Sequence, residues 1–227
     1  MKNIFVILFG GKSTRFDTNT LKQFYIINDK PLCYYSLKPI VESKYIDTIL
    51  VVTDLKYVKN FELYLENKNH YYVSNGDTRF QSVDNALNYI KDNNLADDND
   101  NIFIHDGARP LLDEEIILEL IKELENSNAV TTAIKMEDTI ALINNNEIMN
   151  FPNRNQYVRI QTPQAFKFHT IFDAHKIKNT NASDDAQLIL NLKENVKMVE
   201  GSKKLYKITT VDDINIMKAY LKWTNIM

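Results

Sequence analysis

Apolar runs rich in β-branched residues alternate along the chain with segments whose apolar residues recur every three or four positions. The runs are Ile4–Phe9, Thr48–Thr53, Tyr71–Ser74, Ile102–His105, Val130–Ile134 and Val196–Glu200, each of a length that suits a buried strand. Between and after them the spacing predicts helices over Leu32–Val41, Val58–Leu65, Arg79–Asn93, Glu114–Asn126, Thr170–Lys178, Asp184–Leu192 and Val211–Trp223. In the fourth of these, Ile116, Leu118, Leu120, Ile121 and Leu124 carry a near-helical period. Alternating strand and helix predicts an α/β fold with a mainly parallel, twisted sheet flanked by helices. Such a sheet binds ligands at the carboxyl ends of its strands, near a topological switch point.

The alternation breaks at 138–157. Two short apolar runs flank the polar cluster Asn144-Asn145-Asn146-Glu147, a pattern that predicts a hairpin arm leaving the core. The acidic stretch Asp97-Asp98-Asn99-Asp100 reads as a solvated loop. No internal repeat or linker divides the chain, so a single domain over 1–227 with a β-arm at about 138–157 is expected.

Composition narrows the function classes. With 44% hydrophobic and 25% charged residues, the chain matches an ordinary globular protein large enough to need no disulfide support. A net charge of −3 gives no general reason to bind nucleic acid or an anionic membrane. No apolar stretch approaches the ~20 residues of a membrane span. The one cysteine, Cys33, cannot form an intramolecular disulfide, which fits a reducing cytoplasmic setting. Its apolar helical surroundings read as core rather than nucleophile. Glycine is scarce, at about 2% against a usual ~7%. The five glycines are Gly10, Gly11, Gly76, Gly107 and Gly201, and each marks a place where backbone can come close to something else.

Five stretches could carry chemistry. After the first strand, Phe9-Gly10-Gly11-Lys12 leads to two cations, Arg15 and, seven residues on, Lys22. Backbone amides at such a turn can cradle phosphate. The P-loop spacing fails, because the glycine wanted five residues before Gly11 is Val6. Second, Gly76 and Asp77 precede a helix that carries Ser82; they read either as a turn and N-cap or as a base-reading turn. Third, Asp106 and Arg109 end a hydrophobic strand in His105-Asp106-Gly107-Ala108-Arg109-Pro110. They form either a catalytic pair or an ion pair closing a loop, and Arg suits bidentate phosphate binding. Fourth, Arg154 precedes Gln161-Thr162-Pro163-Gln164, placed between strand and helix with Pro163 as a helix-start signal. Fifth, Lys207-Ile208-Thr209-Thr210 offers a phosphate ligand or an exposed strand-end lysine, followed by a threonine N-cap. The four histidines do not make a zinc spacing.

Taken together, Arg15 to Lys22, HDGARP at 105–110, QTPQ at 161–164 and KITT at 207–210 resemble one family in order and spacing. The chain resembles the 2-C-methyl-D-erythritol 4-phosphate cytidylyltransferases and the related ribitol 5-phosphate cytidylyltransferases, from Ile4 to about Leu221. The resemblance implies a Rossmann-like nucleotidyltransferase fold. It also implies transfer of CMP from CTP to a polyol phosphate with release of pyrophosphate, in isoprenoid precursor synthesis. Arg15, Lys22 and Lys207 would be catalytic, the first two stabilising the pentavalent transition state. Phe9, Gly10, Gly11, Gly76, Asp77 and Ser82 would hold the nucleotide. Asp106, Arg109 and Thr162 would contact the polyol phosphate beside Lys207. Thr139 and Arg154, on the arm, would complete the acceptor site of a neighbouring subunit, which implies a homodimer. Mg²⁺ would be held mainly by CTP phosphates, without a dedicated protein site. Two positions depart from the family: Ser13 stands where a glycine is usual, and Leu21 where a proline is usual. HDGARP and Ser183-Asp184-Asp185-Ala186 favour methylerythritol phosphate as acceptor, and Pro152-Asn153-Arg154 favours ribitol phosphate; the first is preferred.

Overall fold

The computed structural model describes residues 1–11, 16, 20–177, 182 and 184–223. In chain order these form β1 (Asn3–Leu8), β2 (Ile26–Ile27), β3 (Lys30–Pro31), α1 (Leu32–Glu42), β4 (Thr48–Thr53), α2 (Lys59–Glu62), β5 (Asn69–Ser74), α3 (Arg79–Asp92), β6 (Asn101–Asp106), α4 (Glu114–Glu123), β7 (Ala129–Lys135), β8 (Leu142–Asn144), β9 (Glu147–Asn150), β10 (Val158–Lys167), α5 (Phe168–Lys176), α6 (Asp185–Asn191), β11 (Lys197–Glu200) and α7 (Val211–Trp223). Seven strands make one sheet in the order β11-β7-β10-β6-β1-β4-β5. All run parallel except β10, which lies antiparallel between β6 and β7.

The faces of β1 show why the sheet is sandwiched. Phe5 and Ile7 pack with residues of α1, α2 and α4 on one side. Ile4 and Val6 alternate to the other side, with α3, α5 and α6. β4 is buried at every position, as expected for a parallel strand covered on both faces. Phe5 and Phe103 stack across neighbouring strands, 5.6 Å between ring centroids. A third cluster seats α7 against Ile27, Leu32 and Tyr35. That cluster fixes the chain just after Lys207.

Three features differ from the sequence pattern. The helix expected over Val58–Leu65 shrinks to α2, because past Glu62 the backbone bonds tighten to three-residue turns, the Tyr64 amide donating to the Phe61 carbonyl and the Leu65 amide to the Glu62 carbonyl. The second difference is β10, a strand in place of the expected strand–helix connection. Pro163 sits where the register with β7 shifts, between Ile160 and Gln164; proline is tolerated at such an irregularity because it cannot donate to the ladder. The third concerns the glycines, none of which has a positive φ. At Gly10, Gly76, Gly107 and Gly201 their value is close approach to the protein's own atoms, whereas Gly11 faces open space. A Cβ on Gly107 would overlap the Phe9 ring, and one on Gly10 would overlap the Asn75 side chain.

The hairpin arm is present. β8 and β9 pair antiparallel, and Asn145 and Asn146 between them take left-handed φ values of 45° and 65°. Asparagine tolerates that conformation, and two such residues make the tight turn that matches strand twist.

Candidate active site

The chain crosses the sheet in two directions from β1, to β4 and β5 on one side and then back to β6 on the other. The gap between the carboxyl ends of β1 and β6 is therefore the topological switch point. A cleft of about 250 Å³ opens there. Its wall brings together Phe9, Gly10, Gly11, Lys22, Gly76, Asp77, Ser82, Asp106 and Lys207, nine of the expected site residues drawn from four separate stretches of sequence.

Each wall has a local cause. α3 begins with a reciprocal cap in which the Gln81 amide donates to the Thr78 hydroxyl and the Thr78 amide donates to Gln81 Oε1. The capping residue is thus Thr78, which leaves the Asp77 side chain exposed at the cleft. Ser82 is 5% exposed. Its hydroxyl accepts from the Gly76 amide at 3.1 Å and donates to the Thr78 carbonyl at 2.9 Å. In this structure it shapes the turn from within. Lys22 lies on a short 3-10 turn, and its Nζ donates to the Ile208 carbonyl at 2.6 Å. The Ile208 amide in turn donates to the Ala108 carbonyl. Thr210 directly precedes α7, and Asp213 in the first turn of that helix holds the segment: one carboxylate oxygen accepts from the amides and hydroxyls of Thr209 and Thr210.

Asp106 is the electrostatic centre. Oδ2 accepts from Lys207 Nζ at 2.7 Å and lies 3.8 Å from Arg109 Nε, while Oδ1 accepts from Arg79 Nε at 3.2 Å. Burial pushes the carboxyl pKa up, but Arg79, Lys207 and Arg109 more than offset that and hold it well below the usual carboxylate range. Of the sequence alternatives for Asp106 and Arg109, the ion pair closing the loop is the one formed, and only its Asp106 member lines the cleft. Arg109 points away from the cleft wall, its Nη1 donating to the Leu205 carbonyl at 2.8 Å.

Behind Asp106 lies a second set of contacts. The Asp106 amide donates to Thr162 Oγ1 at 3.0 Å, Thr162 Oγ1 is 3.1 Å from His105 Nδ1, and His105 Nε2 is 3.0 Å from the Arg109 carbonyl. A carbonyl only accepts, so Nε2 carries the proton and the Thr162 hydroxyl donates to Nδ1. Thr162 is 3% exposed and supports Asp106 rather than facing the cleft. Burial pushes the His105 pKa down to about 4. The unfolded chain takes up this proton nearer pH 6.5, so stability is expected to fall by on the order of 3 kcal/mol as pH drops from about 6.5 to about 4. Urea unfolding across that range should show the slope, and His105→Gln should flatten it. An equal slope in the variant would refute the assignment.

The arm residues stand apart. Thr139 and Arg154 are exposed, and the Arg154 guanidinium donates to the Glu137 carbonyl on its own arm. Arg15 lies outside the described residues, as do Ser13 and Ser183. Cys33 is fully buried, and burial pushes its thiol up to about 12, consistent with a core residue. The site also holds a residue that motif reading passed over, Arg79. The signal for it was a cation in the first turn of a helix, where the partial positive charge of the backbone disfavours one.

The family model for 2-C-methyl-D-erythritol 4-phosphate cytidylyltransferase matches residues 4–223. A relative of that name from Thermosipho melanesiensis is 36% identical over 220 residues, covering 95% of this chain and 96% of the relative. One from Clostridium botulinum is 34% identical over 219 residues, covering 93% of this chain and 95% of the relative. Among solved structures, 4-diphosphocytidyl-2C-methyl-D-erythritol synthase from Anaerococcus prevotii superimposes with a TM-score of 0.82 at 29% identity, covering 97% of this chain and 98% of that one. A match across almost the whole length leads to one conclusion: the chain belongs to the 2-C-methyl-D-erythritol 4-phosphate cytidylyltransferase family.

Proposed function

We propose that this protein transfers the cytidylyl group of CTP to 2-C-methyl-D-erythritol 4-phosphate and releases pyrophosphate. The observation that carries this reading is the convergence of Lys22, Lys207 and Asp106 with the backbone of Gly10 and Gly11 in one cleft, in a chain of this family. An oxygen of the acceptor phosphate attacks the α-phosphorus of CTP. The new P–O bond forms as the bond from the α-phosphorus to the bridging oxygen of the β-phosphate breaks in line with it. Little covalent chemistry falls to the protein, which positions the reactants and neutralises charge.

Lys22 and Lys207 are the groups for that charge, with Arg15 a third by sequence position. Gly10 and Gly11 offer backbone to the phosphates beside Phe9, whose amide is bonded to the Val52 carbonyl and whose carbonyl accepts from Gln23, and Gly76, Asp77 and the turn braced by Ser82 face the base. Asp106 and Arg109 order the acceptor side, with Thr162 behind them. Both Asp106 oxygens are taken up by cations, so this carboxylate is not poised as a metal ligand. That fits Mg²⁺ held through the phosphates of CTP, where it would supply further charge neutralisation.

The arm supports a homodimer. Leu142, Ile143, Ile148, Met149 and Phe151 are each about 60% exposed, and a concentration of exposed large apolar residues on one hairpin suits an interaction site. Thr139 and Arg154 would then reach the acceptor site of the second copy. Deleting 141–150 is expected to give a folded monomer with little transfer activity; sedimentation of a fully active monomer would contradict the shared site.

The test of the acceptor is a rate comparison. With CTP and Mg²⁺, methylerythritol 4-phosphate is expected to drive pyrophosphate release at the higher kcat/KM, and ribitol 5-phosphate at a lower one. The two acceptors differ in chain length and hydroxyl number as well as in the methyl branch, and the branch alone supports only about 10–200-fold discrimination. A reversed preference would overturn the acceptor, and no release with either would overturn the reaction.

A further inference from the structure

Arg79 is the first residue of α3, where a helix N-terminus disfavours positive charge. Two carboxylates compensate it from opposite ends of the guanidinium. Nε donates to Asp106 Oδ1 at 3.2 Å, and Nη2 lies 2.7 Å from Asp185 Oδ2. The second contact is a close ion pair without hydrogen-bond alignment, and neither atom has a hydrogen-bond partner among the described residues. Each is therefore the other's compensation. Burial alone would lower the Arg79 pKa, but Asp185 and Asp106 more than reverse this.

Asp185 is firmly seated. It is 2% exposed, in the first turn of α6. Its other oxygen lies 3.5 Å from His175 Nε2. His175 in turn stacks flat on Phe80, 4.5 Å between centroids, and Phe80 is the neighbour of Arg79 on α3. The ring and the ion pair thus tie α3, α5 and α6 together beneath the cleft.

This arrangement bears on Lys207. Asp106 alone faces three cations, Arg79, Arg109 and Lys207. If Arg79 were not held at its far end by Asp185, its guanidinium could rotate onto both Asp106 oxygens and displace the Lys207 ammonium. Held as it is, Arg79 occupies Oδ1 only and leaves Oδ2 to Lys207.

We infer that Asp185 and Arg79 are a positioning pair: Asp185 anchors Arg79, Arg79 fixes the Asp106 carboxylate, and Asp106 aims Lys207 at the transferring phosphoryl group. The inference rests on the cytidylyl-transfer reading. Neither residue is asked to take part in bond making, so the effect falls on kcat rather than on CTP affinity.

The experiment compares full-length wild type, Asp185→Asn, Arg79→Lys and the double variant. Steady-state pyrophosphate release gives kcat, calorimetric titration gives the CTP Kd, and circular dichroism confirms folding. Arg79→Lys keeps the charge, but one ammonium cannot bridge the two carboxylates. Each single variant is expected to lose roughly ten- to a hundredfold in kcat, the scale of a misplaced catalytic group, with Kd little changed. The double variant should be no slower than Arg79→Lys alone, because Asp185 acts through Arg79. Wild-type kcat in the folded single variants, or losses that multiply in the double, would overturn the inference. If Asp185→Asn fails to fold, Arg79→Lys decides alone: reduced kcat at retained Kd supports the pair, and unchanged kcat overturns it. Failure of the underlying reading looks different, since the wild type itself would then release no pyrophosphate.

Discussion

Replacing Lys22 with alanine is expected to lower kcat by roughly 10²–10³-fold while weakening CTP binding far less, as for removal of a donor aimed at developing charge. Lys22 reaches the cleft from a short 3-10 turn, and its ammonium is held by the Ile208 carbonyl at 2.6 Å. The same residue's amide is bonded to Ala108, so the ammonium is fixed relative to the loop that carries Asp106. A pre-positioned cation costs no reorganisation when negative charge builds on the transferred group. Steady-state kinetics with CTP and the acceptor, alongside a binding isotherm for CTP, separate the two effects. An unchanged kcat, or a loss carried wholly by CTP affinity, would contradict the role.

The second large effect belongs to Asp106→Asn. Removing one partner of a buried charge cluster typically costs about 3–5 kcal/mol, and here three cations would be left facing one another. A loss near the lower end, about 3 kcal/mol, is expected because Asp185 still compensates Arg79. Urea unfolding at neutral pH measures it. The wild-type carboxyl pKa is depressed, so its contribution is present above the ordinary carboxylate range and is lost as pH falls into the acid. The variant should therefore lose less stability on acidification than the wild type. Adding Lys207→Met to Asp106→Asn should restore part of the stability by removing one uncompensated cation, with no recovery of activity. An unchanged unfolding midpoint in Asp106→Asn would contradict this electrostatic account.

The alternation of apolar runs and helical periods was enough to predict the α/β sandwich, because buried parallel strands such as Thr48–Thr53 are continuous apolar segments. The arm was legible for a different reason: an asparagine cluster between two apolar runs is what a tight turn with left-handed φ requires. β10 was not legible. Its polar residues and Pro163 resemble a loop when read locally, and only pairing with strands distant in sequence makes Gln161 and Gln164 strand residues. There Gln161 donates to the Ser202 and Leu205 carbonyls, and Gln164 donates to Asp184 and Thr131. These bonds tie β10 to the segments on either side of the site.

The candidate site shows the same division. Gly10, Gly11, Gly76, Asp77, Asp106 and Lys207 could be singled out because each sits beside a strand end or a helix start. Their convergence depends on strand order, which puts β6 beside β1 although β4 and β5 intervene in sequence. Arg79 was hidden because, taken alone, it is an ordinary charge near a helix start, and Asp185 stood out only as part of the Ser183-Asp184-Asp185-Ala186 run, without a partner. Their meaning comes from being 2.7 Å apart, with Asp185 buried and Arg79 partly so.

The central claim is that the α-phosphorus of CTP moves to the acceptor phosphate. Incubating the protein with CTP labelled at the α-phosphate, methylerythritol 4-phosphate and Mg²⁺, then separating the products, follows that atom directly. The label is expected to leave CTP in a cytidine diphosphate-linked polyol while unlabelled pyrophosphate accumulates in equal amount. Label that stays in CTP, or that passes to CMP without joining the acceptor, would contradict it.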